Sequence, residues 1–186
     1  MRSKLIIDVR NSQEEIIVHI YRKGLSGLMA KLYRRINYSI YRRAHAVVGV
    51  TRMLITMLAR EMCRPIYYVP NGADLDVFKP ISKEEARKKL GFDQDSTLIM
   101  YVGYLYSYGY YNILPVLTVV RMVRKRLGIN VKLVVTGPIY DEYVERIFES
   151  FKDELEYVGV LDIGKVITLL SACDIGIIPR VGGSNI

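Results

Sequence analysis

Leu98-Ile99-Met100-Tyr101-Val102-Gly103 and, one helical stretch later, Lys132-Leu133-Val134-Val135-Thr136-Gly137 decide the fold. Each is an almost unbroken run of aliphatic, β-branched or aromatic residues closed by a glycine. A strand with one face in water alternates apolar and polar residues, whereas a strand covered on both faces does not. These runs therefore predict parallel strands sandwiched between helices and joined by right-handed crossovers. Working outward, similar short runs lie at 5–9, 46–50, 66–69, 155–158 and 175–178. Between them apolar residues recur at three- and four-residue spacing, as in Ile139, Tyr143, Ile147 and Phe151, or Val116, Val120 and Val123. Thr51 is placed to cap a helix over 52–61, and Ser82 with Glu85 has the pattern of a capping box. The pattern is that of an open, doubly wound α/β protein.

After the third run comes Pro70-Asn71-Gly72-Ala73-Asp74-Leu75-Asp76-Val77-Phe78-Lys79-Pro80, whose prolines, glycine and Asx residues mark a linker or elaborate turn. A domain boundary is expected there, with 1–80 on one side and 81–186 on the other, three strands before it and four after. Charge divides at the same place. The net charge is +8, yet residues 1–65 carry 13 Lys and Arg against 4 acids, and the remainder is close to neutral. Between Arg22 and Arg43 there are seven basic residues and no acid, including Arg34, Arg35, Arg42 and Arg43. Leu25, Leu28, Met29, Leu32, Tyr33, Ile36 and Ile40 interleave with them at helical spacing. Such a helix either packs on a sheet with its basic face in water or binds an anionic membrane surface. No nucleic-acid reading motif accompanies the charge, so nucleic acid is not an expected partner.

Residues 97–120 carry no charge and are long enough to span a bilayer. Two glycines, a proline and six tyrosines between Tyr101 and Tyr111 point instead to a buried strand, a tyrosine-rich loop and a buried helix. Cys63 and Cys173 fit neither metal-ligand nor redox spacing and read as small core residues in a reducing compartment. His19 and His45, the only histidines, have no evident acid or nucleophile partner. The acids Asp141, Glu142, Glu145 and Glu149 read as a solvated helix face. No metal and no cofactor is expected.

Ligands of open parallel sheets bind past the carboxyl ends of the strands. Here those ends read Gly103-Tyr104, Gly137-Pro138, Gly159-Val160-Leu161 and Arg180-Val181-Gly182-Gly183-Ser184-Asn185. Glycine permits close approach of a backbone to a ligand, and free amides at a helix start favour phosphate. A shared nucleotide site is expected along this edge, with Gly182–Asn185 as a phosphate cradle and Arg180 adding charge. Neither a Gly-x-Gly-x-x-Gly fingerprint nor a Walker loop is present, which argues against hydride transfer and ATP hydrolysis.

The linker resembles the Pro-Asn-Gly-x-Asp-x-x-x-Phe-x-Pro signature of family 4 glycosyltransferases, carried by Asn71, Gly72, Asp74 and Phe78. Residues 44–51 and 172–179 resemble that family's strands before and after. The resemblance implies a GT-B fold of two Rossmann-like open parallel sheets, both incomplete here, with an acceptor-type domain over 1–80 and a donor domain over 81–186. It implies a retaining, metal-independent transfer of sugar from a nucleotide-diphosphate sugar to a lipid-linked or glycan acceptor, in the cytoplasm at the inner face of a membrane. Gly159, Val160 and Leu161 would then meet the base. Gly103, Tyr104, Gly137 and the Gly182–Asn185 loop would approach the donor. Arg10 stands where relatives often carry a catalytic histidine. The loop 104–112 holds tyrosines in place of the usual basic residues, earlier acceptor-domain strands are missing, and one of two paired glutamates falls past Ile186. The chain is thus expected to be a segment whose remainder is a partner, the alternative being a non-catalytic anion- or membrane-binding protein on a decayed scaffold.

Overall fold

The computed structural model describes residues 3–11, 26–106 and 112–179. Two compact units divide the chain, Met1–Ala73 and Asp74–Ile186, meeting within the linker. His19, Leu25 and the residues from Arg180 onward, with the expected phosphate cradle, lie outside the described residues.

The first unit runs β1 (Ile6–Val9), α1 (Ser26–Arg43), β2 (Ala46–Gly49), α2 (Arg52–Met62) and β3 (Tyr67–Tyr68). Its strands form a parallel sheet in the order β1-β2-β3, with Ile6 opposite Ala46 and Val48 opposite Tyr67. Thr51 caps α2 as its position suggests, its hydroxyl accepting from the Leu54 amide at 3.2 Å. Val9, Tyr38, Val47, Leu54, Leu58 and Met62 make the core. Cys63 does not join it: the residue ends α2 in the left-handed region at φ +50° and is exposed. His45 is structural, its Nδ1 accepting from the Leu5 amide at 2.9 Å.

α1 packs in an unexpected sense. Ala30 and Tyr38 face the core, whereas Leu28, Leu32, Ile36 and Ile40, the apolar positions of the sequence pattern, face outward and are 45–65% exposed. Aromatic residues at 33, 38 and 41 made a second apolar face that the basic positions between them concealed. Arg34 and Arg42 both reach α2, Arg34 to the Glu61 carboxylate and Arg42 to the Glu61 carbonyl.

The second unit runs α3 (Lys83–Leu90), β4 (Thr97–Val102), α4 (Leu114–Leu127), β5 (Val131–Thr136), α5 (Glu142–Ser150), β6 (Leu155–Tyr157), α6 (Ile163–Ala172) and β7 (Ile175–Gly176). The parallel sheet has the order β6-β5-β4-β7. Both faces are covered, as continuous apolar runs require. Tyr101, Leu133 and Val135 pack with Leu117, Val120, Val144 and Ile147 of α4 and α5. Leu98, Met100 and Val134 pack on the opposite side with Ala86 of α3 and Leu169 and Ala172 of α6. In α5 the buried stripe is Val144 and Ile147, and Tyr143 is exposed. Asp141 caps the helix through the Tyr143 amide, so the helical period begins after Ile139 rather than at it. No described helix is long and apolar enough to cross a membrane.

One ion pair joins the pieces of this unit. Arg87 of α3 is fully buried, and its guanidinium donates to the Ala172 carbonyl at 2.9 Å, to the Gln94 carbonyl at 2.5 Å and to Asp174 Oδ2 at 2.7 Å. Asp174 also accepts from Lys83 Nζ at 2.6 Å and from the Leu98 amide at 2.8 Å. Burial alone would raise the Asp174 carboxyl. The Lys83 and Leu98 hydrogen bonds and the two cationic charges outweigh it and hold the pKa below the ordinary carboxylate value. A lowered folded-state pKa gives stabilisation that is complete above the ordinary carboxylate range and is lost as pH falls through it towards the folded value. Asp174→Asn leaves a buried guanidinium without its counter-ion, and is expected to destabilise this unit by about 3–5 kcal/mol at pH 7. In urea unfolding followed by circular dichroism the deficit should shrink below about pH 4; equal stability of the two proteins at pH 7 would rule out this role.

Candidate functional site

The strand order of the second unit reverses between β4 and β7, because β4 has the next strand on one side and the last on the other. Crevices open past the carboxyl ends of strands at such a point. β7 pairs with β4 only through Ile175 and Gly176, while β4 continues to Val102. A crevice of about 350 Å³, within the lower range of small-molecule sites, lies past the carboxyl ends on the β4-β5-β6 side of this point. Its walls come from three successive strand ends. Val102, Gly103 and Tyr104 follow β4; Thr136, Gly137, Pro138 and Tyr140 follow β5; Val160 and Leu161 follow β6, with Val166 of α6 beside them.

Glycine is required here by the protein's own backbone. Gly137 has φ +139°, and a Cβ on it would lie 1.9 Å from the Gly103 carbonyl oxygen. A Cβ on Gly103 would lie 2.7 Å from the Tyr101 hydroxyl. The two strand ends cross in contact and are tied by hydrogen bonds. The Gly103 amide donates to the Thr136 carbonyl and the Gly137 amide to the Gly159 carbonyl, each at 3.1 Å. Thr136 Oγ1 also donates to the Gly159 carbonyl at 2.7 Å. Tyr101 and Tyr157 donate from their hydroxyls to the carbonyls of Tyr104 and Gly137, at 2.8 and 2.9 Å. The amides of Gly103 and Gly137 are thus committed within the fold, and neither is a free donor for phosphate.

The electrostatics point the same way. No charged side chain lines the crevice among the described residues. At the nearby start of α6, Asp162 accepts from the Lys165 amide at 2.9 Å. That hydrogen bond, with Lys165 itself, holds the Asp162 carboxyl below its ordinary range, so the helix start already carries an anion. Cys173 lies in the neighbouring core, where burial pushes its thiol up to about 12 and leaves it unreactive at neutral pH.

Of the residues that the sequence nominated, Gly103, Tyr104, Gly137, Val160 and Leu161 line this one crevice, and Gly159 braces it from behind. Arg180, Gly182, Gly183, Ser184 and Asn185 lie outside the described residues. Arg10 belongs to the first unit, exposed and paired with Asp8 at 2.9 Å. In the linker, Asp74 organises a single turn, its carboxylate accepting from the amides of Asp76 and Val77 at 2.9 and 3.3 Å. Phe78 closes the turn through its amide to the Asp74 carbonyl at 2.8 Å. Asn71 is exposed, and Gly72 has open space around it. Tyr140 is a lining residue that sequence reasoning missed. Its signal was its place in the turn that follows Gly137-Pro138, but it was assigned to no role because Ile139 and Tyr143 suggested an unbroken helix. Among the described residues no group of three His, Cys, Asp or Glu is placed to hold a metal ion.

No protein-family model matches the chain, and no curated protein does. Solved structures match it. The chain is similar to sucrose-phosphate synthase from Thermosynechococcus elongatus at 16% identity and TM-score 0.62, over 93% of this chain and 44% of that one. It is similar to WaaG, a glycosyltransferase involved in lipopolysaccharide biosynthesis, at 17% identity and TM-score 0.68, over 97% and 51%. It is similar to TarM at 11% identity and TM-score 0.57, over 92% and 35%. The chain therefore spans about half or less of the length of each. At such identities the likeness is one of fold, and that fold is the paired α/β, parallel-sheet arrangement of GT-B glycosyltransferases.

Gly137→Ala is expected to cost at least about 3 kcal/mol, by overpacking against Gly103 and by strained φ, and to collapse the crevice. Gly72→Ala should stay within about 0.5 kcal/mol of the parent. Urea unfolding of the two variants side by side checks the contrast.

Proposed function

We propose that the chain serves a retaining glycosyltransferase that takes its sugar from a nucleotide-diphosphate donor. In this reading residues 81–186 form the donor-type unit and residues 1–80 the acceptor-type unit with its linker, the acceptor being lipid-linked or a glycan. The observation that carries it is the convergence of Gly103, Tyr104, Gly137, Val160 and Leu161 on one crevice past the carboxyl ends of β4, β5 and β6. The likeness of the fold to WaaG supports it. The exposed turn at Val160 and Leu161 offers an apolar shelf for a base, and the diphosphate looks for its cation outside the described lining, with Arg180, after β7, the candidate that the sequence offers. Arg10 enters only as a cation. A guanidinium stays protonated, so it steadies negative charge and does not accept the acceptor's proton.

Calorimetric titration with UDP, GDP, UDP-glucose and GDP-mannose tests this. Saturable binding in the region of ~1 mM, about −4 kcal/mol, is expected for at least one of them. Val160→Asp should weaken it by about tenfold or more by putting a carboxylate against the base where an apolar shelf stood, while leaving stability unchanged because Val160 is on the surface. Absence of saturable heat from all four ligands would overturn the donor-site reading.

A second reading concerns where the protein works. The outward stripe of α1, flanked by Lys31, Arg35 and Arg43, which are exposed and form no ion pair among the described residues, fits an anionic membrane surface at the cytoplasmic face. Apolar side chains enter the boundary of the acyl region, and each cation adds ~1 kcal/mol of attraction to anionic headgroups. In vesicle co-sedimentation, phosphatidylglycerol-containing vesicles should retain the protein and pure phosphatidylcholine vesicles should not. Leu32→Asp with Ile36→Asp should release it at any salt concentration, and Arg35→Gln with Arg43→Gln should make the remaining binding less sensitive to salt. Equal retention of parent and Asp variant would exclude the stripe.

A further inference from the structure

Four tyrosines surround the crevice, and they fall into two kinds. Tyr101 and Tyr157 are construction: each hydroxyl holds a backbone carbonyl of a strand end. Tyr104 and Tyr140 hold nothing comparable. Neither hydroxyl makes a hydrogen bond among the described residues, and the two residues are 55% and 61% exposed at the rim. They come from different strand–helix loops yet meet with ring centroids 5.4 Å apart and ring planes inclined by 53°, so that one offers its face beside the edge of the other. Tyr106 backs them, its ring 5.7 Å from that of Tyr140 and within 17° of parallel. The result is an angled aromatic shelf beside a crevice whose other apolar lining is Val102, Val160, Leu161 and Val166.

A shelf of this kind selects by chemistry. The ring faces carry negative quadrupole charge and attract weakly positive C–H groups, while the phenol hydroxyls offer donors and acceptors at the edge. An anion is poorly served, because the described lining provides no cation and the two strand-end amides are occupied. A ligand with one C–H face and a belt of hydroxyls meets every condition. We infer that Tyr104 and Tyr140 form a stacking platform for an uncharged sugar ring, which lies on the shelf with its hydroxyls towards the phenol oxygens. The inference rests on the crevice being the sugar-handling site proposed above, but it does not depend on a nucleotide. The ring has two sources, the glycosyl group of a donor or a sugar of the acceptor, and they present the same chemistry.

Saturation-transfer NMR on the full chain tests the platform and separates the sources. The probes are the methyl α-pyranosides of glucose, mannose and galactose, then UDP-glucose, and UDP as the sugar-free control. Ring C–H protons of at least one sugar should receive saturation from the protein. Tyr140→Ala and Tyr104→Ala should each reduce it by about 2- to 10-fold, and Tyr140→Phe should retain most of it, since the stacking face remains. Both rings are exposed, so thermal unfolding of the alanine variants should match that of the parent, and the phenylalanine variants serve as readouts if it does not. Saturation of methyl glycosides that requires Tyr140 assigns the shelf to an acceptor sugar; saturation confined to the glucosyl group of UDP-glucose assigns it to the donor. If no sugar proton shows saturation that depends on Tyr104 or Tyr140, the platform is wrong. If the sugars bind through Tyr140 and UDP shows no contact at all, the platform stands and the nucleotide reading falls.

Discussion

The second unit depends on one buried charge pair. Arg87 reaches from α3 to the carbonyls at the end of α6 and in the turn before β4, and it meets Asp174 at the threshold of β7. Asp174 in turn holds the Leu98 amide at the start of β4. The pair therefore fixes which strands lie side by side where the sheet reverses. Exchange for apolar residues of similar size can leave stability intact, whereas loss of one partner strands a charge in the interior. Its value here is registration: β7 contributes only two paired residues and needs an anchor beyond its own ladder.

On the other side of β4 the ends of β4, β5 and β6 meet at one edge, and their crossing sets the chemistry of that edge. Where Gly103 and Gly137 touch, each uses its amide on a neighbouring strand end, so the edge gains rigidity and loses phosphate donors. A comparable clasp closes the far side of the sheet. Arg121 binds Glu154 through two hydrogen bonds, at 2.9 and 3.0 Å, and lies over the Phe151 ring. The hydrogen bond between them raises the arginine's pKa and lowers the carboxyl's, so both stay charged at neutral pH. Both clasps hold backbone in place without projecting charge into the crevice, whose walls stay neutral.

The fold was legible because its signal is distributed. Seven short runs, two caps and a punctuated linker each point to the same α/β arrangement, and an error in one is corrected by the rest. The place of the crevice was legible, since carboxyl strand ends are where clefts open in open sheets, and five nominated residues line that one crevice. Their chemistry was not legible. A glycine at a strand end looks the same in sequence whether it admits a ligand or another strand, and only the contact between Gly103 and Gly137 distinguishes them. The outward face of α1 was hidden for a related reason. A helix with two apolar faces has a periodicity that shows which residues are apolar but not which of them the sheet will choose. Cys63 shows the limit at a single residue, because a left-handed cap is a matter of backbone torsion and leaves no compositional trace.

The aromatic edge has an optical consequence. The chain contains 15 tyrosines and no tryptophan, and six of those tyrosines fall between Tyr101 and Tyr111. Near-ultraviolet absorption and emission therefore arise almost wholly from phenol rings, with nothing to mask them. Tyr104, Tyr106 and Tyr140 lie within 6.4 Å of one another, close enough for their transitions to couple. The near-ultraviolet circular dichroism of the protein therefore carries a signal from the rim of its crevice beside that of the close Tyr38–Tyr41 pair in the first unit.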